Sequence, residues 1–205
     1  MSNDQNNKRT IVALRTGLAN CIGPKLCRAL QDHGYRQAQN VQTLLCARDI
    51  LPTLSLTTEA PAALCTADLI TNRVKKIVLE AGFPSSFEHL DREMITSLKK
   101  HDLALQKQFG PATLSWRDYI SCGQPENVKK WLGLLRQEVV TILLEYPEHT
   151  TVLLVGDGPI MPMVVDPMTT ETQTYKFTPA SGIICSAAIC NKEIMVLNRT
   201  LFAVD

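Results

Sequence analysis

Residues 152–161, VLLVGDGPIM, give the clearest indication of the fold class. Its first four residues are large and aliphatic, and they run directly into Gly156, Asp157 and Gly158. An apolar run that ends in Gly-x-Gly is typical of a buried parallel strand whose last residue reaches the edge of a sheet. Ligands usually bind at that edge of an open α/β sheet. Asp157 therefore places a charged side chain at the edge of the sheet where ligands bind. A charge at that edge needs a chemical explanation.

The segments before this run predict alternating strands and helices. Residues 10–14, TIVAL, predict a first strand, and the apolar spacing of residues 33–48 predicts an amphipathic helix. We interpret residues 62–66, AALCT, as a second strand and residues 67–81 as the helix that follows it. This alternation favours a largely parallel sheet covered by helices.

The rest of the chain extends the same pattern. Helical spacing predicts one or two helices within residues 87–109 and a long helix over residues 126–146. Residues 181–189 and 194–197 predict an antiparallel edge hairpin, and the threonine-rich residues 167–179 predict a loop. The predicted fold is a three-layer α/β/α sandwich with a mainly parallel mixed sheet. We expect one domain over residues 10–205 after a disordered polar tail at residues 1–9.

Composition excludes several classes of protein. The 205 residues include 45% hydrophobic residues and nearly equal numbers of basic and acidic side chains, 21 and 20, which favours a globular protein. The scattered lysines and arginines argue against nucleic-acid binding, and no window reaches the ~18 apolar residues that a membrane span requires. The seven cysteines have neither C-x-x-C pairing nor zinc-type spacing. We expect a cytoplasmic protein with reduced thiols and no cofactor, metal, nucleic-acid or membrane partner, and the oligomeric state stays open.

Four segments, in order, carry a family resemblance. Residues 11–17, IVALRTG, resemble an opening strand with an Arg-His-Gly motif, and residues 30–38, LQDHGYRQA, resemble a Leu-Thr-x-x-Gly-x-x-Gln-Ala helix start. Residues 115–126 resemble a Gly-Glu-Ser segment, and residues 152–159 resemble a strand that carries a histidine in a Gly-His-Gly-Pro setting. Together they resemble the histidine phosphatase superfamily, which has the phosphoglycerate mutase-like fold. The resemblance covers about residues 10–198.

The resemblance implies functional positions. Arg15 and Gly17 match the motif arginine and glycine, but Thr16 stands where the family has the histidine that attacks phosphorus. Asp157, before Gly158, stands where the family has the second histidine, which binds the transferring phosphoryl group. Two expected catalytic groups are therefore replaced.

Two further family positions have no exact match. The second arginine follows a serine in a Ser-Pro-x-x-Arg pattern, and counting from Thr66 places Ile70 there, with Arg73 as the nearest replacement. Glu93 is the best counterpart of the family's proton-donating acid, and Glu88 competes with it. A solvated helix charge is the alternative explanation of either glutamate.

These replacements lead to a hypothesis of a catalytically inactive phosphatase-like protein with a binding or regulatory role. We expect Arg15 and Asp157 to pair across the old pocket, although Arg15 as a turn residue and Asp157 as a helix N-cap are alternatives. The partner is a protein or a small molecule. One alternative is a small-molecule sensor, and another is an active phosphatase or phosphomutase for a small phosphomonoester with re-sited residues. The candidate ligand-binding residues are Arg15, Thr16, Gly17, Arg73, Asp157 and Gly158.

Overall fold

The computed structural model describes residues 8–17, 19, 30–72, 74–80, 114–115, 125–156, 160–165 and 176–204. Four helices lie within these ranges: α1 (Asp32–Cys46), α2 (Pro61–Thr71), α3 (Pro125–Glu145) and α4 (Ile160–Val165). Eight strands lie within them: β1 (Lys8–Arg15), β2 (Leu54–Thr57), β3 (Lys75–Val78), β4 (Leu114–Ser115), β5 (Thr151–Gly156), β6 (Lys176–Phe177), β7 (Gly182–Cys190) and β8 (Glu193–Phe202).

The main sheet has six strands in the order β3-β2-β5-β1-β7-β8. The first four of these strands run parallel to one another, whereas β7 runs antiparallel to both β1 and β8. Strands β4 and β6 form a separate antiparallel pair. The prediction of a mainly parallel mixed sheet is therefore confirmed.

Helices cover both faces of this sheet. Successive side chains of a strand point to opposite faces, so each central strand contributes to two apolar clusters. Ile11 and Leu154 pack in one cluster with residues of α3 and α4. Val12 and Leu153 pack in the other cluster with residues of α1 and α2. This arrangement is the predicted three-layer sandwich, and it explains why β1 and β5 are apolar on both sides.

Most of the predicted elements are confirmed. The first strand, the helices at residues 33–48 and 126–146, the strand at residues 152–156 and the C-terminal hairpin all lie close to their expected positions. The predicted boundary of the N-terminal tail is wrong by two residues, because β1 already begins at Lys8. The predicted helices at residues 87–109 and most of the loop at residues 167–179 lie outside the described residues.

The interpretation of residues 62–81 is wrong. Residues 62–66 belong to α2, and the residues that follow include the end of that helix and the strand β3. The true second strand, β2, was missed. The run AALCT has only five residues, and such a short apolar run does not distinguish a strand from a buried helix by periodicity alone.

None of the helices within the described ranges is both long and apolar enough to cross a membrane.

Candidate functional site

The carboxyl ends of three parallel strands form one edge of the sheet. Arg15 at the end of β1 is in register with Gly156 at the end of β5, and Thr57 of β2 is in register with Val155. This is the edge at which ligands bind in open α/β sheets. Thr58 and Thr16 follow β2 and β1 on this edge. Asp157 follows Gly156 in the sequence and lies outside the described residues.

The backbone at the end of β1 is held from two sides. The Thr16 amide donates a hydrogen bond of 2.9 Å to the Gly156 carbonyl, and its own carbonyl accepts one of 2.9 Å from the Ala180 amide. The Arg15 amide donates to the Ser181 carbonyl at 2.9 Å. Thr16 is only 4% exposed, whereas Arg15 is half-buried. The first motif therefore sits on a rigid part of the sheet edge.

Gly17 continues this segment and contacts the helices α1 and α2. Its amide donates a hydrogen bond of 3.3 Å to Oγ1 of Thr66 on α2. A Cβ atom at this position would lie 2.6 Å from the Gly34 carbonyl oxygen on α1. Because such a contact is too short for any side chain, the motif glycine has a packing reason of its own. It brings the β1 backbone directly against the first turn of α1.

Neighbouring side chains leave no room for a side chain at Gly156. A Cβ atom there would lie 2.9 Å from two atoms of the Met161 side chain and 3.3 Å from Cγ2 of Thr58. Thr58 is fully buried, and its amide donates to the Val155 carbonyl at 3.1 Å. Its hydroxyl oxygen has no hydrogen-bond partner among the described residues. Met161 is fully buried as well. The buried side chains of Met161 and Thr58 therefore fill the space next to Gly156 at the end of β5.

Three of the predicted site residues come together, and four fall outside the described residues. Arg15, Thr16 and Gly17 occupy the carboxyl end of β1, as expected. The residues outside the described ranges are Arg73, Glu93, Asp157 and Gly158. The expected pairing of Arg15 with Asp157 stays a prediction for the same reason.

The position predicted for the second arginine needs correction. Thr66 lies inside α2 rather than at the end of a strand, so Ile70, which was counted from it, is a core residue that is 5% exposed. The residue that follows the true second strand is Thr58, and four residues later is Ala62 in the first turn of α2. The serine-to-arginine spacing of the resemblance therefore points to Ala62.

Sequence reasoning also missed a contact between α1 and α2 at this edge. A hydrogen bond between Tyr35 and the Cys65 side chain raises the pKa of Tyr35 above its ordinary value, and the charge of Asp32 acts in the same direction. The only available signal was that Tyr35 follows the motif glycine, Gly34, in the sequence. The contact between Tyr35 and Cys65 could be inferred only once α2 was known to be a helix.

The described residues contain no cluster of three or more histidine, cysteine, aspartate or glutamate side chains that could hold a metal ion.

Comparisons with known proteins bear on the fold. The sequence matches no protein-family model and no curated protein. A protein of Nakamurella multipartitia, assigned provisionally as the phosphohistidine phosphatase SixA, aligns over 97% of this chain and 98% of its own with 13% identity and a TM-score of 0.58. A mycobacterial glucosyl-3-phosphoglycerate phosphatase, solved with inorganic phosphate, aligns over 96% of both chains with 15% identity and a TM-score of 0.56.

A third structure agrees with these two. The phosphoserine phosphatase of Entamoeba histolytica, solved with 3-phosphoglyceric acid, covers 94% of this chain and 96% of its own, with 14% identity and a TM-score of 0.55. The chain has the histidine phosphatase fold. At such low identities the likeness establishes the fold alone, because one fold hosts many functions. The histidine phosphatase fold therefore locates the candidate site without assigning its chemistry.

Proposed function

We propose that this chain is a catalytically inactive phosphatase-like protein that has kept the histidine phosphatase fold for a binding or regulatory role. The observation that carries the proposal is Thr16 at the carboxyl end of β1, where the resemblance places a nucleophilic histidine. The proposal keeps the cytoplasmic location expected from the sequence.

Thr16 is poorly suited to replace a histidine nucleophile. A threonine hydroxyl is a weak nucleophile at neutral pH and needs an adjacent general base. Thr16 is 4% exposed, and hydrogen bonds fix its backbone to Gly156 and Ala180. Of the two histidines within the described residues, His149 contacts Thr53 next to the amino end of β2, at the opposite edge of the sheet. Its location leaves it unable to serve as the base for Thr16.

The charge of Asp157 opposes phosphate binding. A carboxylate held ~4 Å from one phosphate charge repels it by about 4 kcal/mol at an effective dielectric constant of about 20. This free energy corresponds to roughly a thousandfold loss of affinity. Asp157 directly follows Gly156, which the register places beside Arg15. An aspartate in the place of the second histidine therefore weakens phosphate binding at this site.

The corrected arginine position supports the same proposal. Ala62 in the first turn of α2 has no charge and is fully buried. A planar guanidinium at this place would bind a phosphate through two parallel hydrogen bonds, which an alanine cannot replace. The three positions at Thr16, Ala62 and Asp157 thus all differ from what phosphoryl transfer in this fold requires.

One observation keeps an alternative open, namely an active phosphatase or phosphomutase for a small phosphomonoester with re-sited residues. His33 is exposed in the first turn of α1, next to Gly34, which contacts Gly17 at the candidate site. A histidine at this place is a candidate for re-sited acid-base chemistry. The glutamate proposed as proton donor, Glu93, belongs to the same alternative.

Variants that restore the family's two histidines and its arginine test whether the protein is catalytically inactive. Turnover of a generic phosphomonoester would be measured from pH 4 to 8 for the wild type, Thr16→His/Asp157→His, and the same double variant with Ala62→Arg. We expect no turnover by the wild type, weak turnover by the double variant and a further gain with the arginine. Far-ultraviolet circular dichroism of each variant would confirm that it is folded. Wild-type turnover that His33→Ala abolishes would support the re-sited enzyme instead.

The kind of ligand can be tested separately. A pocket that pairs Arg15 with Asp157 would favour a neutral or zwitterionic small molecule over a phosphate ester. A ligand that binds only the folded state raises the unfolding temperature. A thermal-shift screen with phosphorylated and zwitterionic metabolites would therefore support the small-molecule sensor if a zwitterion stabilises the wild type but not Arg15→Ala. No stabilisation by any compound would favour a protein partner.

A further inference from the structure

Helix α2 packs on the sheet through unusually small side chains. Its residues in the apolar cluster beneath it are Ala63, Ala67 and Ile70, and only the isoleucine is large. The long helix α3 on the other face buries Trp131 and several leucines and valines. Apolar burial stabilises a helix in proportion to the area removed from water. Per turn, α2 therefore contributes less apolar side-chain area to its packing than α3 does.

The strand beneath α2 adds a second source of weakness. Leu54 and Leu56 pack in the cluster with α3 and α4, so the intervening Ser55 and Thr57 face α1 and α2. Both are fully buried, and the hydroxyl oxygen of each has no hydrogen-bond partner among the residues that the structure describes. A buried hydroxyl without a partner favours any state in which water can reach it.

The first turn of α2 lacks the usual side-chain cap. Its N-cap residue, Ala60, has no side chain that can accept a hydrogen bond from the first-turn amides. Serine, threonine, asparagine or aspartate at this place would stabilise the helix start. The N-terminus of α2 is therefore weakly fixed at the same edge of the sheet as the candidate site.

A side-chain hydrogen bond links α2 to the motif segment. Oγ1 of Thr66 accepts from the Gly17 amide at 3.3 Å. Gly17 is the third residue of the Arg15-Thr16-Gly17 segment. A displacement of α2 would therefore release one of the contacts that fix this segment.

We propose that α2 is a conformational switch that opens locally from β2 while the rest of the sandwich stays folded, and that its opening releases the Gly17 amide from Thr66. The opening hydrates Ser55 and Thr57 and exposes only one of the two apolar clusters, so its free-energy cost is lower than that of global unfolding. The inference rests on the proposed function only in treating this edge as a binding pocket. It applies equally to an active and to an inactive site.

Native-state hydrogen exchange on the full chain tests this switch. We expect the α2 amides, from Leu64 to Asn72, to exchange through an opening that is less costly than that of the buried amides of α3. The Gly17 amide should report the same opening free energy as α2. Thr57→Val removes one unpaired hydroxyl at nearly constant shape, so it should slow exchange of the α2 amides about tenfold. The control, Thr141→Val, changes an exposed threonine of α3 and should leave α2 unchanged.

A further variant tests the link to the motif. Thr66→Val removes the acceptor of the Gly17 amide, so exchange at Gly17 should become faster and independent of α2. The proposal is overturned if α2 and α3 open with the same free energy. It is equally overturned if Thr57→Val speeds exchange of the α2 amides, since that would mean that bound water satisfies the hydroxyl and fixes the helix. Hydrogen exchange needs no catalytic readout, so these outcomes are independent of the turnover assays.

Discussion

Gly182 is where the close approach of β1 and β7 can be tested most sharply. It opens β7 opposite Leu14, and a Cβ atom there would lie 2.1 Å from the Ala13 carbonyl oxygen and 2.7 Å from Cα of Leu14. Both are backbone atoms, so no side chain can rotate away. Gly182→Ala must therefore push β1 and β7 apart next to the hydrogen bond between the Arg15 amide and the Ser181 carbonyl.

The magnitude follows from two contributions. Overpacking of a rigid site typically costs about 1–3 kcal/mol, and a lost hydrogen bond costs about 1 kcal/mol more. We expect Gly182→Ala to lower the free energy of unfolding by about 3 kcal/mol. For a chain of this size this loss corresponds to a decrease of about 6–12 °C in the unfolding temperature.

Gly133 provides a matched control with the opposite sign. It lies exposed within α3, and a Cβ atom there would meet nothing within 4 Å. Alanine in a helix interior is more favourable than glycine by about 1 kcal/mol, so Gly133→Ala should raise the unfolding temperature by about 2–4 °C. Thermal and urea unfolding followed by circular dichroism would measure both variants. Equal unfolding temperatures for the two variants would refute the close approach of β1 and β7.

Three other predictions concern the motif glycine, the apolar core and the contact between α1 and α2. Gly17→Ala would bring a methyl group against the Gly34 carbonyl, and we expect a loss of about 1–3 kcal/mol in urea unfolding. Leu135→Ala would leave a cavity in the core, because Leu135 is fully buried, and should cost about 2–5 kcal/mol in the same assay. Because the Cys65 contact raises the pKa of Tyr35, folding favours the protonated tyrosine, and this stabilising contribution is lost as the pH rises through the raised pKa. An absorbance titration should show phenolate formation at Tyr35 at lower pH in Cys65→Ala, with Tyr35→Phe as the blank, and an unchanged midpoint would contradict the contact.

The strands of the sheet centre could be predicted because their patterns are unambiguous. Strands β1 and β5 are buried on both faces, so they appear in the sequence as continuous aliphatic runs. The helix α3 has regular apolar spacing over its length, with buried residues from Trp131 to Leu143. The hairpin β7–β8 has its turn at Asn191 and Lys192, which both have positive φ.

The second strand and helix could not be located in the same way. β2 has only four residues, of which Ser55 and Thr57 are polar, so it carries no apolar run. Helix α2 lacks a capping residue at Ala60, and its small side chains give little periodicity. The one available signal was Pro61, which is favoured at the first position of a helix. Misplacing these elements moved the expected arginine position from Ala62 to Ile70.

The candidate site was predictable in part for a related reason. Arg15, Thr16 and Gly17 follow a strongly patterned strand, so their place at the sheet edge could be expected from the sequence. The buried hydroxyl of Thr58 and the bond between Gly17 and Thr66 depend on tertiary packing between elements that are distant in sequence. No local pattern encodes such contacts.

Turnover of a phosphomonoester by the wild-type chain is the measurement that distinguishes an inactive protein from an enzyme. The measurement would compare the wild type with Arg15→Ala, at micromolar protein concentration and from pH 4 to 8, against a buffer blank. We expect both proteins to release phosphate no faster than the blank, because Thr16 and Asp157 replace the two catalytic histidines of the resemblance. Turnover by the wild type that Arg15→Ala abolishes would contradict this expectation.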